Sequence, residues 1–415
     1  MNTSEIRTLF ITREIPYPIV AGVSLRLWQN INIMIKFGPV GVFSAVDWNP
    51  VHTSLPGVEV WKHCNVLQQR SPWEKFIARF WWFDSHRHSD ADWVHAQAAA
   101  QELQVMMTQF QPDLVVMEQV WLYPYLKVVQ EHGCEIIFDN HNVEASLWQK
   151  IKAAAQGLKA KLKTKIELAH LQVIEQDFSR QANQTWVCSQ EDASLMQQLY
   201  SQLSPIKVIP NGINIHDYDL VRSGECTLPP GLPDKKRTIL FVGQLSYPPN
   251  TAAVELLINQ IYPKLKKKYP DSHLLLVGRK PMQFMKQAAK QEPGIIVTGA
   301  VPDIRPYLAA ASMMVVPLHQ GGGTRLKIVE ALAAGCPVIS TTKGAEGLKV
   351  KDGEHLLIRN EVEEIVEGIY QLWTNPDLGV KLANSGYKLV EAEYSWEAVG
   401  RKVELAIQEL RTAEF

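Results

Sequence analysis

Cysteine is scarce in this chain: five in 415 residues, at 64, 134, 188, 226 and 336, with no Cys-x-x-Cys spacing. That scarcity argues against a disulfide framework and a cysteine-rich metal centre, and it fits a reducing compartment. Neither sign of charge is in excess, with a formal net charge of -1. A dedicated nucleic-acid binder would carry a marked basic surplus, so no nucleic-acid partner is expected. No run approaches the roughly eighteen uncharged apolar residues that a membrane span requires. The start, MNTSEIRTLFITREIPYPIV, lacks a basic stretch followed by a long apolar run and a cleavage site, so no signal peptide is expected. No Asp-x-Asp pair stands at the end of an apolar, strand-like run, and no metal site is expected. What remains is 46% hydrophobic and 20% charged, ordinary for a folded chain long enough for two or three domains.

The apolar runs are short and regularly spaced. Leu9-Phe10-Ile11, Val40 to Val46, Leu114 to Met117, Glu135 to Asp139, Trp186 to Ser189 and Ile206 to Pro210 read as buried strands. Helical stretches lie between them, the longest over 91 to 110. Such alternation predicts an α/β chain with parallel sheets and helical crossovers. Residues 211–236 break the rhythm with Gly212, Gly224, Pro229, Pro230, Gly231 and Pro233, and read as a linker. The pattern then restarts with strands at 238–243, 273–279, 295–299, 313–316 and 337–340, and a helix from about 251. This predicts an N-terminal domain over 1–210 and a C-terminal domain over 237–390, both Rossmann-like. The tail, 391–415, is helical in pattern and is expected to pack back on the N-terminal domain.

The strongest local signal is Gly321-Gly322-Gly323-Thr324-Arg325-Leu326-Lys327-Ile328-Val329-Glu330, directly after Met313 to Pro317. It reads as strand, glycine loop and helix. Glycines 321, 322 and 323 let backbone amides approach an anion, and a helix start adds its positive end. Arg325 and Lys327 supply side-chain cations. The motif reads as a seat for a diphosphate, with Glu330 accepting hydrogen bonds from ribose hydroxyls. A plain surface loop is the alternative for the glycines. Lys327 and Glu330, three apart on one helix face, read equally as a local ion pair. Gly243 and Gly278-Arg279 end two further strands in the same domain, where ligands of open parallel sheets bind.

In the first half, Asp139-Asn140-His141-Asn142-Val143-Glu144 follows a strand. His141 reads either as a contact to a sugar hydroxyl or developing charge, or as a loop histidine satisfied by Asp139 or Glu144. Gly22 lies between the first strand and the first helix, where it approaches a ligand or simply makes the turn. Residues 73–83, WEKFIARFWWF, hold six aromatics. They divide between core and an exposed share suited to a greasy or sugar-bearing acceptor or a membrane interface. Residues 150–166 carry six lysines and no acid on a partly amphipathic pattern, which fits either an anionic bilayer or a solvated helix face.

In their order these segments resemble a known family. They are the turn at Gly22, the His141 segment, Val187 to Asp192, Val208 to Gly212, Phe241 to Gly243, Leu276 to Arg279, Thr298 to Val301, Gly335 to Ile339 and Gly344 to Gly347. The resemblance is to the large family-four group of retaining nucleotide-sugar glycosyltransferases (glycosyl transferases group 1), and to a side branch of it with a Gly-Gly-Gly-Thr-Arg loop. It implies a GT-B type fold, with two facing Rossmann-like domains and a cleft between them. The N-terminal domain would take the acceptor and the C-terminal domain the donor. Glu330 matches the family's second glutamate, which contacts the donor ribose. The first would fall at Gly322, and the usual aromatic and glycine of the loop are Thr324 and Arg325 here. The family's basic pair after the Gly243 strand is missing, which leaves Arg279, Arg325 and Lys327 as the expected phosphate ligands.

The resemblance implies transfer of a sugar from a nucleoside diphosphate sugar to an acceptor hydroxyl with retention, in cell-surface polysaccharide or glycolipid assembly. Catalytic roles are expected for His141, Arg325 and Lys327. Donor contacts are expected at Gly22, Gly243, Arg279, Gly321, Gly322, Gly323, Thr324 and Glu330. No cofactor or metal is expected, the nucleoside diphosphate sugar being a substrate. The other expected partner is a glycan or lipid-linked acceptor, with peripheral contact to an anionic membrane. The expected location is the cytoplasm, at the inner membrane face. Two alternatives remain open: an inactive subunit that binds nucleotide sugars, and a sugar-nucleotide epimerase.

Overall fold

The computed structural model describes residues 5–18, 22–48, 54–154, 157–232, 235–321, 323 and 325–412. The chain divides into one unit of Met1–Asn211 with Gly400–Phe415 and a second of Gly212–Val399.

In the first unit seven strands pair in parallel: β1 (Thr8–Thr12), β2 (Val40–Val46), β3 (Val60–Asn65), β4 (Leu114–Glu118), β5 (Glu135–Asn140), β6 (Gln184–Val187) and β7 (Ile206–Val208). Their order is β3-β2-β1-β4-β5-β6-β7. Every residue of β1, β2 and β4 is buried. That is why these strands read as unbroken apolar runs: helices cover both faces of the sheet. Strand order reverses between β1 and β4, the switch point at which open α/β sheets bind ligands. Glu118 and Asp139 occupy the carboxyl ends of β4 and β5 beside it.

The second unit repeats the plan with β8 (Thr238–Val242), β9 (His273–Val277), β10 (Ile295–Gly299), β11 (Met313–Val316), β12 (Val338–Ser340) and β13 (Leu357–Ile358). All pairings are parallel, in the order β10-β9-β8-β11-β12-β13. The switch point falls between β8 and β11. Gly243 follows β8 and the glycine loop follows β11, so both sit where the sheet directs a ligand.

The structure differs from the sequence reading in three places. The first part of the segment read as a linker belongs to the second unit. Ile213 bridges to Ser395, and Ile215–Tyr218 and Asp219–Ser223 form short helices. Ile213, Ile215, Tyr218 and Val221 are buried, which overrides the loop-like composition around them. The helix expected over 91–110 is two, Ser89–Trp93 and Gln97–Phe110, because Ala96 takes an extended backbone. The lysine-bearing stretch is likewise two helices, Glu144–Ala154 and Leu158–Gln181, parted at Gly157 with φ +83°. The tail helix runs Trp396–Thr412, and from Gly400 it belongs to the first unit. There the Gln184 amide donates to the Ala406 carbonyl at 2.8 Å. All five cysteines are free thiols. Among the described residues, no helix is long and apolar enough to cross a membrane.

Candidate functional site

In the second unit the site begins with backbone. Gly243 and Gly278 end adjacent strands and touch so closely that a Cβ on Gly278 would lie 1.7 Å from the Gly243 carbonyl oxygen. The Gly243 amide donates to Val277 O at 3.0 Å and the Gly278 amide to Gly299 O at 3.1 Å, lacing three strand ends together. A Cβ on Gly243 would meet the Asn250 amide at 2.8 Å and the Lys327 Nζ at 3.0 Å. Gly278 is therefore required by the backbone it meets, whereas a side chain at 243 would displace the ends of Asn250 and Lys327.

The helix Leu326–Ala333 rises from the far side of the switch point. Its N-cap residue, Arg325, makes no side-chain capping bond, and the Arg325 carbonyl accepts from the Ile328 amide at 2.8 Å. Lys327 reaches back toward β8. Its Nζ donates to Asn250 Oδ1 at 3.0 Å and lies 4.4 Å from the centre of the Phe241 ring. Asn250 is fixed in turn by donating to the Gln244 carbonyl at 2.9 Å. Burial depresses the Lys327 ammonium, the Arg325 charge adds to this, and Glu330 opposes it, leaving its pKa at about 7. One turn on, Glu330 accepts from the Tyr218 hydroxyl at 3.1 Å. Burial pushes its carboxyl up to about 7 against the pull of Tyr218 and Lys327. The hydrogen bonds of Lys327 and Glu330 thus go to separate partners, not to each other.

Arg325 is buried, and its guanidinium donates to the carbonyls of Gly321 at 3.0 Å and Lys343 at 3.3 Å. It ties down the glycine loop from inside. Gly321 takes φ +107° and packs against Pro249, while Gly323 is exposed at φ +78°. Gly322 and Thr324 lie outside the described residues. Arg279 is exposed and donates to Gln244 Oε1 at 2.9 and 3.2 Å.

In the first unit a buried charge network occupies the carboxyl ends of β4 and β5. His141 Nε2 lies 3.0 Å from Glu118 and 3.6 Å from Asp139, and its Nδ1 lies 3.4 Å from the Gln119 amide nitrogen. Burial alone would lower the imidazole pKa. The two carboxylates more than offset it and raise it to about 9. Asp139 is itself clamped by Arg26, whose Nε lies 3.0 and 3.1 Å from its oxygens and whose Nη2 also bonds it. Asn30 donates to the same carboxylate at 3.0 Å. Against its own desolvation, chiefly through Arg26, Asp139 is held down at about 2.

Glu175 braces the His141 turn from the helix Leu158–Gln181. It accepts from the Glu144 amide at 2.8 Å, the Ala145 amide at 3.3 Å, the Asn140 side chain at 3.1 Å and the Tyr200 hydroxyl at 2.6 Å. Gln119 adopts φ +71° beside His141, a conformation that costs a side chain energy and gathers at functional sites. Glu118, Asp139 and His141 offer the one grouping of metal-ligand type among the described residues. Arg26 and Asn30 already satisfy Asp139, whereas both Glu118 oxygens and His141 Nε2 make no hydrogen bond among the described residues. Gly22 stands exposed at the first residue of the helix Gly22–Met34.

The structure thus brings Gly243, Lys327 and Glu330 together at one switch point and seats His141 at the other unit's strand ends. It adds Asn250, Tyr218 and Gln244 to the second unit, and Arg26, Glu118 and Glu175 to the first. The sequence carried no local signal for these partners. Tyr218 reaches Glu330 across 112 residues and Arg26 reaches Asp139 across 113.

Residues 236–375 match the family of glycosyl transferases group 1. Phosphatidyl-myo-inositol mannosyltransferase of Mycobacterium leprae is 28% identical over 200 residues, covering 47% of this chain and 51% of that protein. The chain spans about half the length of the curated relatives it matches. Sucrose-phosphate synthase from Thermosynechococcus elongatus superposes with a TM-score of 0.70 at 16% identity, covering 99% of this chain and all of that one. Anabaena HepE, solved in complex with UDP, superposes with a TM-score of 0.65 at 16% identity, covering 97% and 100%. The fold is the GT-B fold of these solved structures, and the match to glycosyl transferases group 1 covers residues 236–375.

Proposed function

We propose that the protein transfers a sugar from a nucleoside diphosphate sugar to an acceptor hydroxyl, with retention of configuration. The observation that carries this reading is the placement of Lys327 and Glu330. The helix Leu326–Ala333 presents a cation and a carboxylate one turn apart over the close contact of Gly243 and Gly278, within the residues that match glycosyl transferases group 1. The helix start and Lys327 receive the diphosphate, and Glu330 receives the ribose hydroxyls. Arg325 shapes the loop and adds its charge from beneath it, and Arg279 supplies an exposed cation at the β9 end. His141, within the first unit, is proposed to act catalytically as an imidazolium.

As the glycosidic bond breaks, negative charge grows on the diphosphate. Fixed donors aimed at that charge stabilise the transition state more than the ground state. Loss of one such donor costs about 3 kcal/mol, or about a hundredfold in rate. Because protein cations serve the diphosphate here, the reaction is proposed to need no metal, and turnover should be indifferent to chelators. A glycan or lipid-linked acceptor in cell-surface polysaccharide or glycolipid assembly, made at the inner membrane face, completes the proposal. That Anabaena HepE was solved with UDP supports nucleotide binding. The names of the mycobacterial relatives support a lipid-linked acceptor.

The test is to incubate the protein with a panel of nucleoside diphosphate sugars and extracted glycan and lipid acceptors. Nucleoside diphosphate release and the anomeric configuration of the product are then measured. Acceptor-dependent release that falls about a hundredfold in Lys327→Ala supports the reading. Saturable donor binding with no release for any acceptor would instead mark a binding subunit, consistent with the missing glutamate at Gly322. Conversion of the donor without acceptor would mark an epimerase.

A further inference from the structure

We propose that residues 72–83 and the first turns of the helix Leu158–Gln181 form a docking face for an anionic lipid bilayer. This does not rest on the nucleotide-sugar reading, and either can fail without the other.

The helix Pro72–Ile77 and the tighter helical segment Ala78–Phe83 contribute no buried residue. Their aromatic side chains point outward. Trp73 is 66% exposed and Phe83 71%, with Phe76, Phe80 and Trp82 each above 40%. The rings follow one another in contact, with centroid separations of 5.6 Å (Trp73–Phe76), 5.2 Å (Phe76–Phe80), 6.3 Å (Phe80–Phe83) and 3.7 Å (Trp82–Phe83). They make a contiguous exposed apolar ridge, the kind of feature that marks an interaction surface. The segment is built to hold it there. Ser71 and Glu74 form a reciprocal cap with Pro72 in the first turn, and Glu74 also accepts from the Gln97 amide at 2.7 Å.

The helix Leu158–Gln181 supplies the charge. Residues 157–163 are all exposed, and burial begins only at Glu167 and Leu168. Leu158 and Leu162, 90% and 61% exposed, lie one turn apart on the same side. Lys159 and Lys163 flank them on one side and Lys161 and Lys165 on the other, with no acid before Glu167. Leucines between lysines suit a helix lying at a lipid interface, with its ammonium groups reaching the headgroups. The aromatic segment packs against the same helix further along. Trp81 meets His170 of this helix edge-on at 5.5 Å, and Ser89 donates to its Glu167 at 3.1 Å.

Aromatic rings beside a row of lysines, of which Lys163 is the one paired among the described residues, with Glu167 at 3.6 Å, are complementary to the headgroup region of an anionic leaflet. A second copy of the chain is a poorer occupant. A stable dimer needs about 20–30 residues a side, and a symmetric contact would bring the lysines together.

The experiment is sedimentation of the full chain with vesicles of phosphatidylcholine alone or rich in phosphatidylglycerol, with no nucleotide present. Wild type is compared with Trp73→Ser/Phe83→Ser and with Lys159→Gln/Lys161→Gln/Lys165→Gln. Tryptophan emission, and thermal unfolding as the control for folding, are recorded in parallel. The expected result is binding to the anionic vesicles with a blue shift in emission. Each lysine near such a surface strengthens binding about fivefold, so the triple variant should bind about a hundredfold more weakly. The aromatic variant should lose most of its binding and the blue shift. Three results would overturn the proposal: no binding by folded wild type, equal binding by all three proteins, or a concentration-dependent dimer that the aromatic changes dissolve.

Discussion

Lys327 and Glu330 carry the account at the scale of single residues, and their protonation makes it testable. Burial holds the Lys327 pKa at about 7, so the free protein keeps the ammonium below that pH and loses it above. A bound diphosphate favours the ammonium and raises this pKa. Donor affinity should therefore fall as pH rises above 7, and binding at pH 8 should take up a proton. Calorimetry in buffers of different ionisation enthalpy measures that uptake, and Lys327→Gln should abolish it. The same variant should weaken donor binding by about tenfold to a hundredfold, the range for a lost hydrogen bond to a charged group. His141 has the opposite sign. Its folded pKa is raised from 6.5 to about 9, so its stabilising contribution is complete below 6.5 and disappears as pH rises through 9. Urea unfolding of the first unit should show that loss over this window, and His141→Gln should remove it. Arg26 tests the network beneath. Arg26→Met leaves Asp139 buried without its cation and should cost about 3–5 kcal/mol, read by the same unfolding.

At the scale of elements, the strand ends are the informative feature. Gly278→Ala would place a Cβ 1.7 Å from the Gly243 carbonyl, and backbone cannot yield as a flexible side chain does. That change should destabilise the second unit by about 3 kcal/mol or more and abolish donor binding, as measured by unfolding and titration. These glycines were legible in the sequence because each closes an apolar strand, and buried parallel strands announce themselves as unbroken apolar runs. β3 did not, because Lys62 and His63 interrupt it at a half-buried sheet edge. β13 is only two residues long and has no periodicity to detect. The break at Ala96 and the early helices over 215–223 follow from tertiary burial, which local composition does not encode. The cation–carboxylate motif of the site was legible in the same way, being contiguous. Its supports, Tyr218, Asn250, Arg26 and Glu175, were not, because each acts on a residue distant in the chain.

On the scale of the whole molecule, the chain is two parallel α/β units whose boundary the sequence marks by its second run of strands. The division is not a single cut, since residues from Gly400 onward complete the first unit. Val403, Ala406, Ile407 and Leu410 are buried there, and Lys207 of β7 pairs with Glu409. Truncation after Val399 should therefore raise hydrogen exchange in β6 and β7 while leaving β8, β9 and β11 protected. The central claim concerns the second unit: it binds a nucleoside diphosphate sugar through Lys327 and Glu330. Its most direct test is calorimetric titration of nucleoside diphosphates and their sugars into wild type, Lys327→Gln and Glu330→Ala. The account predicts saturable binding of one nucleotide class, weakened at least about tenfold by either change in variants that still unfold cooperatively above the titration temperature. Absence of binding by the folded wild type, or binding indifferent to both substitutions, would contradict it.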